Sequence, residues 1–246
     1  MNISIMMITY NRLELTKQTI KNVYDTVNVP FNFIIIDNAS TDGTIEYLNE
    51  LAKEKNNIHL KFNTVNRGVA NGRNQALLIA DSLNTEWYAT IDNDVLFHSG
   101  WLIECINVLK DNRNFGAIGV SFEDKIYQTL DVNRHRIEYK SRGNLGTACM
   151  VFNKSLHKLI GFFSTEYGSF YGLEDTNFGN RIIFAGLKIG YILTHGTHLG
   201  VGANDQGEYR EFKTKQHNEN LPKYHADYSL YASGKKSLYI PYKEVE

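Results

Sequence analysis

The sequence predicts an α/β fold: a mostly parallel sheet flanked by helices, in one domain with a C-terminal appendage. Three observations carry this reading. Over the first hundred residues, short apolar runs alternate four times with segments of helical spacing. The runs are almost continuously apolar, as strands are when a parallel sheet is covered on both faces. Polar clusters at residues 9–12, 37–42 and 92–94 each follow such a run. In an open α/β sheet they would converge on one rim, at the carboxyl ends of the strands.

Residues 2–9 make the first strand, with Ile3, Ile5, Met6, Met7 and Ile8 apolar, and Tyr10-Asn11-Arg12 ends it. Residues 13–27 carry Leu13, Leu15, Ile20, Val23, Tyr24 and Val27 at helical spacing, and Pro30 breaks the pattern. Residues 31–36 are a second buried strand. It runs into Asp37-Asn38-Ala39-Ser40-Thr41-Asp42-Gly43, dense in turn and cap formers. A helix over 44–55 turns Ile45, Leu48 and Leu51 inward, and 58–62 is the third strand. Asn66-Arg67-Gly68 opens a helix over 69–82 with Ala70, Ala76, Leu77 and Ala80 on one face. The fourth strand, Trp87-Tyr88-Ala89-Thr90-Ile91, is aromatic and β-branched without charge.

After Asp94 the alternation blurs. A helix spans 100–110 and an apolar strand 115–122. Residues 123–143 are polar and of mixed charge, with Arg134, His135, Arg136, Lys140 and Arg142. They read as a long loop or ribbon at the edge of the site. Another strand covers 146–153, then a short helix 154–160 and an aromatic, irregular stretch 161–171. A helix over 174–185 places Phe178, Ile182, Ile183 and Ala185 inward, and the strand 187–193 leads to His195 and His198. Beyond Asn204 the chain is polar and rich in Tyr, Lys and Glu, which reads as an appendage. There is no repeat or low-complexity tract.

Composition narrows the partners. The 246 residues, 42% of them hydrophobic, suffice for a sizeable core. Lys+Arg 26 against Asp+Glu 27 gives a net charge of −1. No global field therefore favours nucleic acid or an anionic membrane, and any phosphate site must be built locally. Cys105 and Cys149 lie far apart in apolar contexts, as buried thiols of a reducing compartment do. The apolar start of the chain is short and lacks a basic leader, and no run approaches the roughly 18 apolar residues of a membrane span. The expectation is a soluble, cytoplasmic protein, with peripheral association as its one route to a membrane.

Chemistry concentrates at Asp92-Asn93-Asp94. Along a strand, residues i and i+2 point the same way, so both carboxylates can face one spot. Two carboxylates after an apolar strand are costly unless something positive meets them. A divalent cation with a phosphorylated ligand would suit, since hard cations prefer oxygen ligands. The plainer reading is a polar turn capping the strand.

Together these residues resemble a family 2 glycosyltransferase of the GT-A (Rossmann-like) fold, over roughly residues 2–201. Six stretches carry the resemblance, in the family's order. They are Thr9-Tyr10-Asn11-Arg12; Ile34 to Thr44 around Asp37-Asn38-Ala39-Ser40; Asn66-Arg67-Gly68-Val69-Ala70 with Arg73-Asn74; Asp92-Asn93-Asp94; residues 146–163 ending in Leu-Ile-Gly-Phe-Phe; and Gly172-Leu173-Glu174-Asp175 with Arg181 and Gly186. The resemblance implies domain limits of 1–203, split into a nucleotide-binding half 1–98 and an acceptor half 99–203, with 204–246 appended.

It also implies an inverting transfer from a UDP-sugar to a hydroxyl of a glycan, lipid-linked or protein acceptor, assisted by Mn²⁺ or Mg²⁺, as in polysaccharide biosynthesis. Asp94 would ligate the metal, and Asp92 would face the metal, ribose or sugar. His198, followed by Leu199-Gly200, would complete the metal shell, with His195 as second choice. Asp37 would accept from a base N–H, which suits uracil, and Tyr10 would stack on that base. Arg12, Arg67 and Arg73 are candidates for phosphate or sugar contacts. Thr9, Asn11, Asn66 and Asn93 would line the donor site. Asp175 would be the base, with its neighbour Glu174 orienting the acceptor or serving in its place.

Two departures bear on specificity. Leu173 stands where the family usually has a second glycine, which reshapes the acceptor pocket. No Gln-x-x-Arg-Trp motif occurs, so a single transfer is expected rather than chain extension. Two other classes compete. A sugar nucleotidyltransferase would want a Gly-rich loop with a basic residue after the first strand, which Thr9-Tyr10-Asn11-Arg12 is not. A non-catalytic nucleotide or carbohydrate binder would need no base.

Overall fold

A computed structural model describes residues 1–123, 128–140, 145–146, 148–167, 172–200 and 208–243. The first hundred residues alternate as the apolar runs require: β1 (Ile3–Thr9), α1 (Leu13–Thr26), β2 (Asn32–Asp37), α2 (Thr44–Glu54), β3 (Ile58–Phe62), α3 (Gly68–Ser82) and β4 (Trp87–Ile91). There follow β5 (Val95–Leu96), α4 (Trp101–Asp111), β6 (Phe115–Gly119), β7 (Thr129–Val132), β8 (His135–Lys140), β9 (Cys149–Asn153), α5 (Lys154–Ile160), α6 (Glu174–Phe184), β10 (Lys188–Ile192), β11 (Thr197–His198) and α7 (Glu208–Ala232).

Nine strands form one sheet in the order β3-β2-β1-β4-β9-β6-β10-β8-β7. Seven point one way; β9 and β8 run against them. The continuous apolar runs are explained by two cores. Ile3, Ile5, Met7, Phe33, Ile35, Ala89 and Ile91 face α1, α2 and α4. Their alternates Met6, Ile34, Ile36 and Tyr88 face α3, α5 and α6. Period-2 alternation thus serves both faces. Cys105 and Cys149 are buried and unlinked.

Two expectations change, and the loop-or-ribbon alternative for residues 123–143 is narrowed. The sixth strand ends at Gly119, short of the anticipated 122. Of the stretch 123–143, residues 129–140 form an antiparallel ribbon of β7 and β8 that extends the sheet through β8 and β10; residues 124–127 and 141–144 lie outside the described residues, as do 168–171 of the irregular stretch. The appendage contains a 25-residue helix, α7, with Pro222 inside it. No apolar stripe announces that helix, and an internal proline argues against one. Beyond it, Ile240 bridges to Gly161: the Phe162 N–H donates to the Ile240 carbonyl at 2.9 Å and the Ile240 N–H to that of Ile160 at 3.0 Å. Among the described residues, no helix is long and apolar enough to cross a membrane.

Candidate active site

The carboxyl ends of β1 and β2 are stitched by their own turn residues. Thr9 and Asp37 pair across the two strands, and the Thr9 hydroxyl donates to Asp37 Oδ2 at 2.7 Å. The Ser40 N–H and hydroxyl donate to the same carboxylate, which is fully buried. Ser40 Oγ in turn accepts from the Asn11 N–H at 2.7 Å, and Asn11 Oδ1 accepts from the Thr41 N–H at 2.8 Å. This mesh holds Asn11 and Arg12 in the left-handed region, φ 56° and 63°, a conformation that costs free energy in non-glycine residues. It leaves Tyr10 exposed on the rim. Asn66 Oδ1 accepts the Gly68 N–H at 2.9 Å where α3 begins, and the half-buried Arg67 stands at that helix start.

Beyond β4 the chain makes a second, two-stranded sheet, β5 with β11. Val95 pairs with His198, and the Leu199 N–H donates to the Asp94 carbonyl at 2.7 Å. That ribbon carries His198 to Asp94, Nε2 to Oδ1 3.6 Å. One ligand atom each from Asp92, Asp94 and His198 lie within 4.8 Å of one another. Arg12 Nη1 donates to Asp94 Oδ2 at 2.8 Å. Burial, and then the Asp92 charge, push the Asp94 carboxyl above its usual range, with His198 and Arg12 acting in opposition. Asn93 is tied to the first helix, its Nδ2 donating to Thr16 Oγ1 at 2.9 Å. Two carboxylates and an imidazole, crowded and partly buried, are a donor set that suits Mn²⁺ or Mg²⁺. His195 is elsewhere: its Nε2 meets Glu138 of β8.

The third contributor is the first turn of α6. Glu174 is buried and ion-paired with Arg73, Nη1 to Oε1 2.9 Å. Arg73 also reaches Asp92, Nη2 to Oδ1 3.1 Å, and is itself only 4% exposed. Burial raises the Glu174 carboxyl to about 7; the adjacent Asp175 adds to the rise and Arg73 opposes it. Asp175 is partly exposed, and its Oδ1 accepts from the Thr176 N–H and hydroxyl.

One connected network therefore runs Asp37–Ser40–Asn11, through the adjacent Arg12 to Asp94, His198 and Asp92, and on to Arg73, Glu174 and Asp175. All the residues expected at the site except His195 lie on it or at the helix starts and turns that frame it. Ser40 and Thr16 were not singled out from the sequence, and Gly200 entered only as the context of His198. Ser40 lies inside a recognised motif, so its signal was present. Gly200 matters because a Cβ there would run into the Asp94 carboxylate.

Comparison with known proteins follows the same lines. Residues 4–171 match the sequence profile of glycosyl transferase family 2. The proposed teichuronic acid biosynthesis glycosyltransferase TuaG of Bacillus subtilis (strain 168) is 32% identical over 92 residues, covering 37% of this chain and 35% of TuaG. The mannosyltransferase PcManGT of Pyrobaculum calidifontis, solved with GDP-Man and Mn²⁺, superposes with a TM-score of 0.63 at 20% identity, over 82% of this chain and 58% of that one. GalNAc-T7, solved with UDP, GalNAc and Mn²⁺, gives 0.65 at 12% identity, over 80% and 43%. The chain spans about a third of the length of the curated relatives it matches. At these identities the solved structures speak for a shared GT-A fold, and the profile, which covers more than half of the chain, speaks for ancestry: the protein belongs to glycosyl transferase family 2.

Proposed function

We propose that this chain transfers a sugar, with inversion, from a UDP-sugar to a hydroxyl of a glycan, lipid-linked or protein acceptor. The observation that carries the reading is the Asp92–Asp94–His198 set sharing one network with Glu174 and Asp175. Asp94, His198 and Asp92 would hold Mn²⁺ or Mg²⁺. Bound there, the cation would offset charge on the departing nucleoside diphosphate. Arg12 and Arg67 supply further positive charge for that diphosphate. Tyr10 offers its ring face to the base. Thr9, Asn11, Asn66 and Asn93 fix the turns around the donor. Asp37 is packed with hydrogen bonds from Thr9 and Ser40, so its first task is to shape the base pocket, and any base N–H it accepts comes in addition.

Inversion requires a base on the face of the sugar opposite the leaving group. Asp175 fits this role better than Glu174, because Glu174 is buried against Arg73 while Asp175 is partly exposed. Residues 1–98 are then the donor half, 99–203 the acceptor half, and 204–246 an addition whose helix α7 packs on α6. The two unlinked, buried cysteines support a reducing, cytoplasmic setting.

Calorimetric titration with Mn²⁺·UDP and Mn²⁺·GDP tests the donor. The reading expects UDP to bind, and Asp94→Ala to weaken it at least about tenfold, some 1.4 kcal/mol. Asp175→Asn should keep that affinity and lose about 10²- to 10⁴-fold in UDP release from donor and acceptor. Undiminished turnover in Asp175→Asn would remove the base assignment. Pyrophosphate release from a nucleoside triphosphate would point to a nucleotidyltransferase.

A further inference from the structure

We infer that Arg73 is a positioning residue that reports occupancy of the donor side to the first turn of α6. The inference rests on the reading above and deepens it. One planar guanidinium is shared between two carboxylates from distant parts of the chain, Nη1 on Glu174 at 2.9 Å and Nη2 on Asp92 at 3.1 Å. Its base is fixed. The next residue, Asn74, clamps the Phe163 backbone with two hydrogen bonds, accepting from its N–H at 2.8 Å and donating to its carbonyl at 2.9 Å. The Phe163 ring lies beneath the guanidinium, 5.7 Å from Cζ to its centre.

Arg73 is therefore poorly placed to swing out to a phosphate. Doing so would leave Glu174 buried and unpaired, which is strongly unfavourable. Asp92 is the partner open to a ligand: its side chain is 37% exposed, against 9% for Glu174. It also belongs to the set with Asp94 and His198. When a cation or sugar hydroxyl draws on the Asp92 oxygens, the rigid fork gives up part of that bond and its hold on Glu174 tightens. Glu174 is followed directly by Asp175. Donor binding would thus firm the helix turn that carries Asp175.

The test is amide hydrogen exchange in α6 with Mn²⁺·UDP as the probe, read beside its affinity. In the wild type, the ligand should slow exchange in the first turn of α6 several-fold. In Arg73→Lys, which keeps a positive charge against Glu174, affinity should stay within about threefold while that protection is lost. Glu174→Gln should give the same split and serves if Arg73→Lys fails to fold. A tenfold or greater loss of Mn²⁺·UDP affinity in Arg73→Lys would make Arg73 a direct donor ligand and overturn the inference. So would full protection retained in both variants. Failure of the wild type to bind either Mn²⁺·UDP or Mn²⁺·GDP would sink the donor reading itself, a result distinct from either of these.

Discussion

Asp94 is held from three directions: Arg12 donates to its carboxylate, His198 stands 3.6 Å away, and its backbone carbonyl receives the Leu199 N–H. The last contact brings Gly200 so close that a Cβ there would press on Asp94 Oδ2, with His198 Cε1 next nearest in the ring. Gly200→Ala should therefore displace the ligand set while sparing the fold. The expected result is about tenfold weaker Mn²⁺ binding, with a thermal midpoint close to that of the wild type. Unchanged Mn²⁺ affinity would show that the ligands tolerate the displacement or bind elsewhere. At this scale the sequence was most informative where spacing is local. Asp92 and Asp94 are two apart, and Glu174 and Asp175 adjacent. It was silent on partners: Arg73 and Glu174 are 101 residues apart, and His195 and Glu138 are 57. Nothing in a linear pattern tells which carboxylate will meet a given cation. The pairing of Arg73 with Glu174 and Asp92, and of His195 with Glu138, was therefore out of reach of the sequence. Arg181 shows the same limit. It was quoted with the Glu174-Asp175 stretch, and in the structure it is fully buried and spends its guanidinium on the carbonyls of Ile160, Phe162 and Leu238 and on Asn177 Oδ1. Burial lowers its pKa to about 10.

Among elements, the alternating strands and helices of the first hundred residues were legible because each carries its own apolar pattern. The α7 helix was not, because polar and charged groups hold it down. Tyr167 donates to Asp227 at 2.6 Å and receives Asn177 at 2.8 Å. Lys236 pairs with Asp227 at 2.7 Å and with Glu166 at 3.3 Å, and Lys223 reaches Glu166 at 3.3 Å. Burial pushes the Asp227 and Glu166 carboxyls up. The contacts from Lys236 and Tyr167 together outweigh it at Asp227, as those from Lys236 and Lys223 do at Glu166, and both end below their ordinary range. Burial pushes Lys236 down, but Asp227 and Glu166 outweigh it and it ends above its ordinary value. The signs follow. Carboxyls depressed in the fold add stability above their unfolded pKa of about 4 and lose it as pH falls through the folded value. A raised lysine adds stability below its ordinary pKa and loses it as pH climbs past the folded one. The docking of α7 should thus be firm at neutral pH and weaken in acid. Asp227→Asn should flatten the acid limb of thermal stability between about pH 5 and 3. Parallel acid limbs in variant and wild type would show that this cluster is too solvated to matter.

At the level of the whole molecule, the apolar runs announced a parallel sheet but not its order. Strand order is a long-range property. The antiparallel β9, inserted between β4 and β6, has no local signature beyond being apolar. That insertion has a thermodynamic consequence. Both cores draw on both halves of the chain: Ile3 and Ile192 share one, Met6 and Tyr191 the other. Neither half can unfold without exposing apolar surface of its neighbour, so the two halves of the chain should melt as one cooperative unit. A ligand held on the rim must then stabilise all of it by mass action. At a hundredfold excess over Kd, Mn²⁺·UDP should add about 2.7 kcal/mol, a rise of roughly 5–10 °C for a chain of this size. Scanning calorimetry should show one endotherm that moves intact, returns on chelation, and moves about half as far or less in Asp94→Ala. Two endotherms, only one of them sensitive to the nucleotide, would mean that the shared cores do not couple the halves and that residues 1–98 fold by themselves.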